Sequence, residues 1–430
     1  MKLLKDIMTH EVYPALGCTE PVSCAYAAAL AAAQLGSPVE RLTLRVDPST
    51  YKNGAAVTVP HSGGAKGNLV AAALGAALAR PEDQLQLLRH VTDDVVARSR
   101  ALCEGDRCRL ECLSDCRCFR VDVLVSAGPH SARCVLSGSH THVERIEKDG
   151  RIVRQSEANG ATSELAYRGQ LSRMSLAEVL ALADALDAED CAYLQRGVEM
   201  NLAIAESGFD VRGTAYQLRR MQRDGYLGDD LFFRAKIRVA AAIDARMAGV
   251  AMPVMTSGGS GNQGTVAVLT PYLVGREMDV PAERILQSIA VAHVVNAYVK
   301  SFVGELSVVC GCALAAGIAA AAAIVYQQAG IDIPRMNLAV RSVIGDLGGL
   351  ICDGAKPSCA MKAITGVDSA VRSALMALQG YGLAADEGVV GQTAEESIRN
   401  LARVSLEGMF PVDPTMLKIL QERATRSGLG

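Results

Sequence analysis

The stretch LICDGAKPSC, residues 350–359, carries Cys352 and Cys359 seven positions apart, with Gly348, Gly349, Gly354 and Pro357 preventing a continuous helix between them. Such a loop can fold back and bring its two thiols to one place. A second stretch, GELSVVCGCALAAG, supplies Cys310 and Cys312, so a third thiolate is available where the two segments pack together. Three cysteines on glycine-rich turns suit an iron–sulfur cluster, which takes thiolate ligands and offers a Lewis-acidic position at an iron that lacks one. Asp353 and Lys356, between the two thiols, read as loop residues able to tune the site.

Cys18, in GCTEP, stands in the first turn of an expected helix, where the positive end of the macrodipole favours thiolate and so nucleophile, base or ligand character. Cys24, inside the same helix, lacks that advantage and reads as core. The loop MTSGGSGNQGT offers Thr256, Ser257, Ser260 and Asn262 together with exposed backbone N–H groups, a nest able to hold a carboxylate. Within it, Gly259 to Gly264 match G-x-G-x-x-G. A dinucleotide fold needs a preceding strand and an acidic residue about 20 positions on, whereas the preceding region reads as helical and Asp279 comes too early.

In HSGGAKGN, His61 to Asn68, no Ser or Thr follows the lysine, so it is no Walker motif. A glycine loop opening a helix can still bind an anion, and His61 can exchange a proton near neutral pH. Cys103, Cys108, Cys112, Cys116 and Cys118, with Cys134 further on, lack the C-x2-C pair of zinc modules. Alternation from Cys108 to Val125 places Cys112, Cys116 and Cys118 on one strand face with Cys108, so these are expected to be buried structural thiols.

Together, GCTEP, TSGGSGNQG, GELSVVC and CDGAKPSC resemble the L-cysteine desulfidase family, relatives of the iron–sulfur L-serine dehydratases. The resemblance runs from HEVYPALGCTEP to the segment after Cys359. It implies a [4Fe-4S] cluster on Cys310, Cys352 and Cys359, with Cys312 outside the ligand set, and a proton-acceptor role for Cys18. It also implies that the glycine loop binds the substrate, so Thr256, Ser257, Ser260 and Asn262 are the expected binding residues there, and His61 joins the expected set from its own anion-binding loop. The implied reaction is β-elimination without pyridoxal phosphate, taking L-cysteine to pyruvate, ammonia and sulfide. Dehydration of L-serine is the alternative, and a non-catalytic iron–sulfur or redox sensor and a Cys18–His61 dyad hydrolase are readings from other classes. Some serine dehydratases that are similar in the cluster region carry a C-terminal cysteine able to cap the open iron. This chain ends TRSGLG, which favours the desulfidase reading.

The elements that must position these residues follow from pattern. Residues 14–36 predict a helix entered at Cys18 or Thr19 and stopped by Gly36; residues 41–60 predict short strands; the loop from His61 leads into a helix that Pro81 ends or follows. Residues 107–155 alternate with period two, with KDG as a hairpin turn, and from about 172 successive amphipathic helices follow. The expected fold is therefore α+β and predominantly helical, with an α+β domain over 1–170 and a helical domain over 171–430, the boundary falling near 165–172.

A 430-residue chain with 50% hydrophobic residues, no Trp and 4% aromatics suits close-packed, alanine-rich helices. Net charge is −3, which gives no basic field for nucleic acid or an anionic membrane, so a small-molecule amino-acid substrate is the expected partner, with a homodimer left open. VVCGCALAAGIAAAAAIVYQQ approaches spanning length, yet an all-apolar helix equally forms the centre of a large bundle, so no membrane partner is expected. The N-terminus is interrupted by Asp6, His10 and Glu11 before any apolar region develops, which predicts the cytoplasm, where 13 cysteines stay reduced, catalytic or metal-bound.

Overall fold

Cys18, extended at φ −78° and ψ 131°, precedes a helix over Thr19–Leu35. Glu20 and Pro21 lie in its first turn, where an acidic side chain and a residue without an N–H are both favoured. It ends at Gly36, left-handed at φ 76°, whose amide donates to Ala32 O. The computed structural model describes residues 2–116, 118–156, 166–304 and 307–426. Its fold is α+β and predominantly helical, and the stretch 157–165, where the sequence changes character, lies outside the described residues.

Six strands form one mixed sheet: β2 (Arg41–Val46), β3 (Cys108–Cys112), β4 (Arg120–Ala127), β5 (His130–Ser137), β6 (Val143–Lys148) and β7 (Arg151–Gln155), in the order β3-β2-β4-β5-β6-β7. Only β2 and β3 run parallel. Asp149 (φ 48°) and Gly150 (φ 75°) make the β6–β7 turn that KDG predicts. Leu42, Leu44, Val121, Val123 and Leu136 are buried with the Ala-rich faces of Thr19–Leu35 and Asn68–Leu78 in one hydrophobic core. Those helices pack closely at Gly75, where an added Cβ would stand 2.0 Å from Ala25 O.

Two sequence expectations fail here. Residues 48–54 form a helix rather than a strand, because Asp47 caps it by accepting from the Ser49 and Thr50 amides and Pro48 takes the first helical position. The cysteine-rich strand also ends at Cys112, and a turn takes the chain away before Cys116. Cys134 is buried as expected, but Cys103, Cys108, Cys112 and Cys116 are half-buried and Cys118 is exposed, since only β3 lies against the sheet. Cys103 Sγ and Cys108 Sγ lie 3.1 Å apart.

The second, larger core is helical. Its centre is Ala315–Ala329, buried from Ala315 through Gln327 and surrounded by Gly261–Glu277, Ala282–Val303, Ile333–Leu347 and Cys359–Leu378. The apolar run of spanning length is thus the middle of a bundle, and among the described residues no helix is long and apolar enough to cross a membrane. The first helix, Lys2–Glu11, sends Leu3, Leu4, Ile7 and Met8 into this same core. Immediately after it, β1 (Pro14–Leu16) pairs antiparallel with β8 (Pro253–Met255), so the chain crosses between the two cores just ahead of Cys18.

Candidate functional site

The turn at 310–312 and the loop at 352–359 meet through a short antiparallel crossing. Val309 bridges Ile351, the Cys310 amide donates to Leu350 O at 2.8 Å, and the Cys352 amide donates to Val308 O at 2.6 Å. Gly354, at φ 94°, lets the loop pass against the helix Pro48–Gly54, since a Cβ there would lie 2.5 Å from Lys52 O. Lys52 Nζ then donates to Cys352 O at 2.9 Å and pairs with Asp413 at 2.6 Å. Cys359 begins the next helix, so three backbone turns present three thiols to one cleft. Asp353 and Lys356 form an ion pair that Lys362 joins, which ties the loop to that helix.

This cleft, with about 1020 Å³ of empty space, is also lined by Cys18, Glu20, Ser260, Asn262, Arg246 and Lys300. The Cys18 thiol donates to Glu20 Oε2 at 3.0 Å, and Thr19 Oγ1 and Asn53 Nδ2 donate to the same carboxylate at 3.1 and 2.9 Å. Burial pushes the Cys18 thiol well up, the Glu20 charge adds to this, and Arg246 opposes it. The expected thiolate at a helix N-terminus is therefore a protonated thiol at rest. Desolvation and a carboxylate neighbour outweigh the macrodipole, whose contribution is about 0.3–1 kcal/mol at an exposed helix end. Burial also acts on Glu20, but the nearby His140 charge and the hydrogen bonds from Cys18 and Asn53 bring its carboxyl below the usual value.

Arg246 joins the two sides. Its guanidinium donates to Gly17 O at 2.6 Å and to Asn262 Oδ1, and its buried Nε has no hydrogen-bond partner among the described residues. Lys300 Nζ donates to Gly258 O. In the glycine loop, Gly258 (φ 57°) and Gly259 (φ 68°) make the turn, while Gly264 serves packing, since a Cβ there would meet Met255 O at 2.0 Å.

Of the expected substrate-binding residues, Ser260 and Asn262 line the cleft. Thr256 and Ser257 do not, because their hydroxyls are used inside the protein. Thr256 Oγ1 accepts from the Tyr13 amide at 2.9 Å and donates to Glu11 O at 3.0 Å. Ser257 Oγ lies 3.0 Å from both His293 Nδ1 and Asn296 Nδ2. His61 sits exposed on a left-handed turn (φ 57°) and is not among the residues lining the cleft, while the Cys18 thiol pairs with Glu20; the histidine that lines the cleft is His140.

Glu20, Lys52, Arg246, Lys300 and His140 are among the cleft residues that sequence reading missed. The usable signal was a charged side chain inside an apolar helical run, as in AAIDARMAG and AHVVNAYVK, because a charge buried there needs a purpose or a partner.

Among the described residues, no three His, Cys, Asp or Glu side chains meet closely enough for a single metal ion. A polynuclear cluster is held at separate corners by individual thiolates, and the donor set of Cys310, Cys352 and Cys359 suits it. A hydrogen bond from Cys312, countering burial, lowers Cys310 to about 6, while Cys312 is pushed well up. Of this pair, Cys310 is therefore the thiol held ready to ionise and Cys312 the one that keeps its proton. Burial raises Cys352, opposed chiefly by Lys52, and raises Cys359 to about 11, so both would surrender protons on binding a metal.

A family model for the serine dehydratase alpha chain matches residues 82–418. The chain is 49% identical over 427 residues to a UPF0597 protein of Geobacter sulfurreducens, covering 99% of this chain and 100% of that one. It is 42% identical to a UPF0597 protein of Elusimicrobium minutum (98% and 100%) and 32% identical to one of Clostridium tetani (98% of each). No solved structure matches it.

Proposed function

We propose that this chain, which belongs to the serine dehydratase alpha-chain family, is an iron–sulfur-dependent lyase that takes L-cysteine to pyruvate, ammonia and sulfide by β-elimination. The observation that carries the reading is the convergence of Cys18, Cys310, Cys352, Cys359 and the 258–262 loop on one cleft, although they come from four separate parts of the chain. Cys310, Cys352 and Cys359 would hold a [4Fe-4S] cluster, which supplies a Lewis acid for the substrate's leaving group.

The remaining work falls to the chain's own side chains. The Arg246 and Lys300 cations, with Ser260 and Asn262, form the wall suited to the substrate carboxylate. That placement turns Cα toward the Cys18–Glu20 pair, which takes the Cα proton. Burial of the pair keeps water from competing for it. The C–H electrons become the Cα–Cβ double bond as the Cβ–sulfur bond breaks and its electron pair departs with sulfur as hydrosulfide, and the resulting enamine hydrolyses through its imine to pyruvate and ammonia.

The family match favours a second reading, dehydration of L-serine in the same cleft. Pyruvate release by anaerobically reconstituted protein, with L-cysteine and L-serine at equal concentration in parallel, separates the two. Preference for cysteine supports the desulfidase assignment, and preference for serine replaces it with the second reading. Release from neither refutes both.

A further inference from the structure

Among the described residues of these two sites, His140 alone lines both the cleft and a second, outer cavity. This outer cavity is polar, with His10, Tyr13, Asp83, His142 and Arg168 on its wall. His140 is 4% exposed and packs on Phe119, ring centroids 4.8 Å apart. The β5–β6 connection holds it there. The Ser137 amide donates to His142 O at 3.2 Å, the His142 ring returns to Ser137 O at 2.9 Å, and the Gly138 amide donates to Phe119 O at 3.1 Å. A polar imidazole so enclosed between two cavities is placed to accept a proton on one side and release it on the other.

The Cys18–Glu20 pair needs such an outlet. At rest it holds one proton between Cys18 Sγ and Glu20 Oε2. When it removes the Cα proton it gains a second, and because sulfur departs with the Cβ–sulfur electron pair as hydrosulfide, that proton goes to solvent before the next turnover. We propose that His140 is a positioning residue for proton transfer, taking that proton from Glu20 and passing it into the outer cavity. The step moves one proton from carboxyl oxygen to imidazole nitrogen and releases another from the opposite ring nitrogen, with no change of oxidation state. The cleft it lines carries Cys18, Glu20, Lys52, Arg246 and Lys300 along with the 310–312 and 352–359 thiols, Asp353, Lys356 and Lys362, and the outer cavity carries His10, Tyr13, Asp83, His142, Tyr167 and Arg168. Both residues line the cleft, and among the influences on Glu20 burial acts upward while the His140 charge is the largest acting downward.

This inference rests on the β-elimination reading, so its test has one arm independent of turnover. In the folded protein without substrate, carboxyl ¹³C resonances should show Glu20 titrating at higher pH in His140→Asn than in the wild type; an unmoved titration overturns the link. With the reconstituted enzyme and whichever amino acid it consumes, His140→Asn should lower kcat about 100-fold with KM little changed. Imidazole added to His140→Ala should restore part of the rate. A merely structural histidine would tolerate the polar Asn and would not respond to imidazole, so wild-type kcat in His140→Asn, or no response in His140→Ala, also overturns the proposal. If the wild type releases no pyruvate from either amino acid, the elimination reading fails, while the Glu20 titration still decides whether the two residues share a proton.

Discussion

Cys310 and Cys352 occupy neighbouring rungs of one antiparallel crossing, each donating its amide to the other's strand, to Leu350 O at 2.8 Å and Val308 O at 2.6 Å. The backbone therefore sets the separation of the two thiols whatever the sulfurs carry. Cys352→Ala leaves both hydrogen bonds in place, so the protein should fold as before yet retain much less iron after anaerobic reconstitution. Cys312→Ala should retain it. Iron per chain and circular dichroism check both, and equal iron in the two variants would remove Cys352 from the ligand set.

Cys18 reactivity should follow the sign of its shift. Burial and then Glu20 push the thiol up, so it stays protonated through the pH range where an ordinary cysteine ionises, and alkylation by iodoacetamide should begin only at higher pH. Glu20→Gln removes one of the upward influences and should move the onset of alkylation to lower pH. Cys24, fully buried away from the cleft, should remain unmodified in both. Peptide mass spectrometry across a pH series reads all three outcomes.

Arg246 has two jobs that substitution should separate. Arg246→Lys keeps a cation but cannot reach Gly17 O and Asn262 with one planar fork. It should lower stability by about 1–3 kcal/mol through the groups left unpaired. Arg246→Met also removes the charge and should raise KM for the amino acid further than the lysine variant does. Chemical denaturation and steady-state kinetics on both variants check this, and equal KM in the two would exclude a carboxylate contact.

The contact between Thr19–Leu35 and Asn68–Leu78 is set by Gly75. Gly75→Ala places a Cβ 2.0 Å from Ala25 O, which forces the helices apart, at about 1–3 kcal/mol. Gly36→Ala meets nothing within 4 Å and carries only the left-handed backbone cost, about 1–2 kcal/mol. Because Cys18 opens the first of these helices, Gly75→Ala should also reduce pyruvate release, whereas Gly36→Ala should leave it unchanged. Urea unfolding and the pyruvate assay test the pair together.

Local rules reached far into this protein because many of its elements are decided within a few residues. The Thr19–Leu35 helix, its Gly36 stop, the KDG hairpin and the helix after the glycine loop at 61–67 all follow from caps, turn residues and period. The same rules missed the helix Pro48–Gly54, where Asp47 and Pro48 act as cap and first residue in a stretch whose composition resembles a turn. Continuing the alternation past Cys112 also failed, since periodicity records which face a residue would take and not where a strand stops.

What the sequence determined by itself was the chemistry available: thiols on glycine turns, a cysteine at a helix start, a glycine loop with hydroxyl and amide side chains. Tertiary structure alone decided which of these meet. Ser260 and Asn262 face the cleft, while Thr256 and Ser257 spend their hydroxyls on the Lys2–Glu11 and Ala282–Val303 helices, and His61 lies outside it. It also chose Glu20, Arg246, Lys300 and His140, whose importance comes from burial beside residues remote in the chain. Desolvation and neighbouring charge, which set the state of Cys18, depend on distances in space, and spacing along the chain does not contain them.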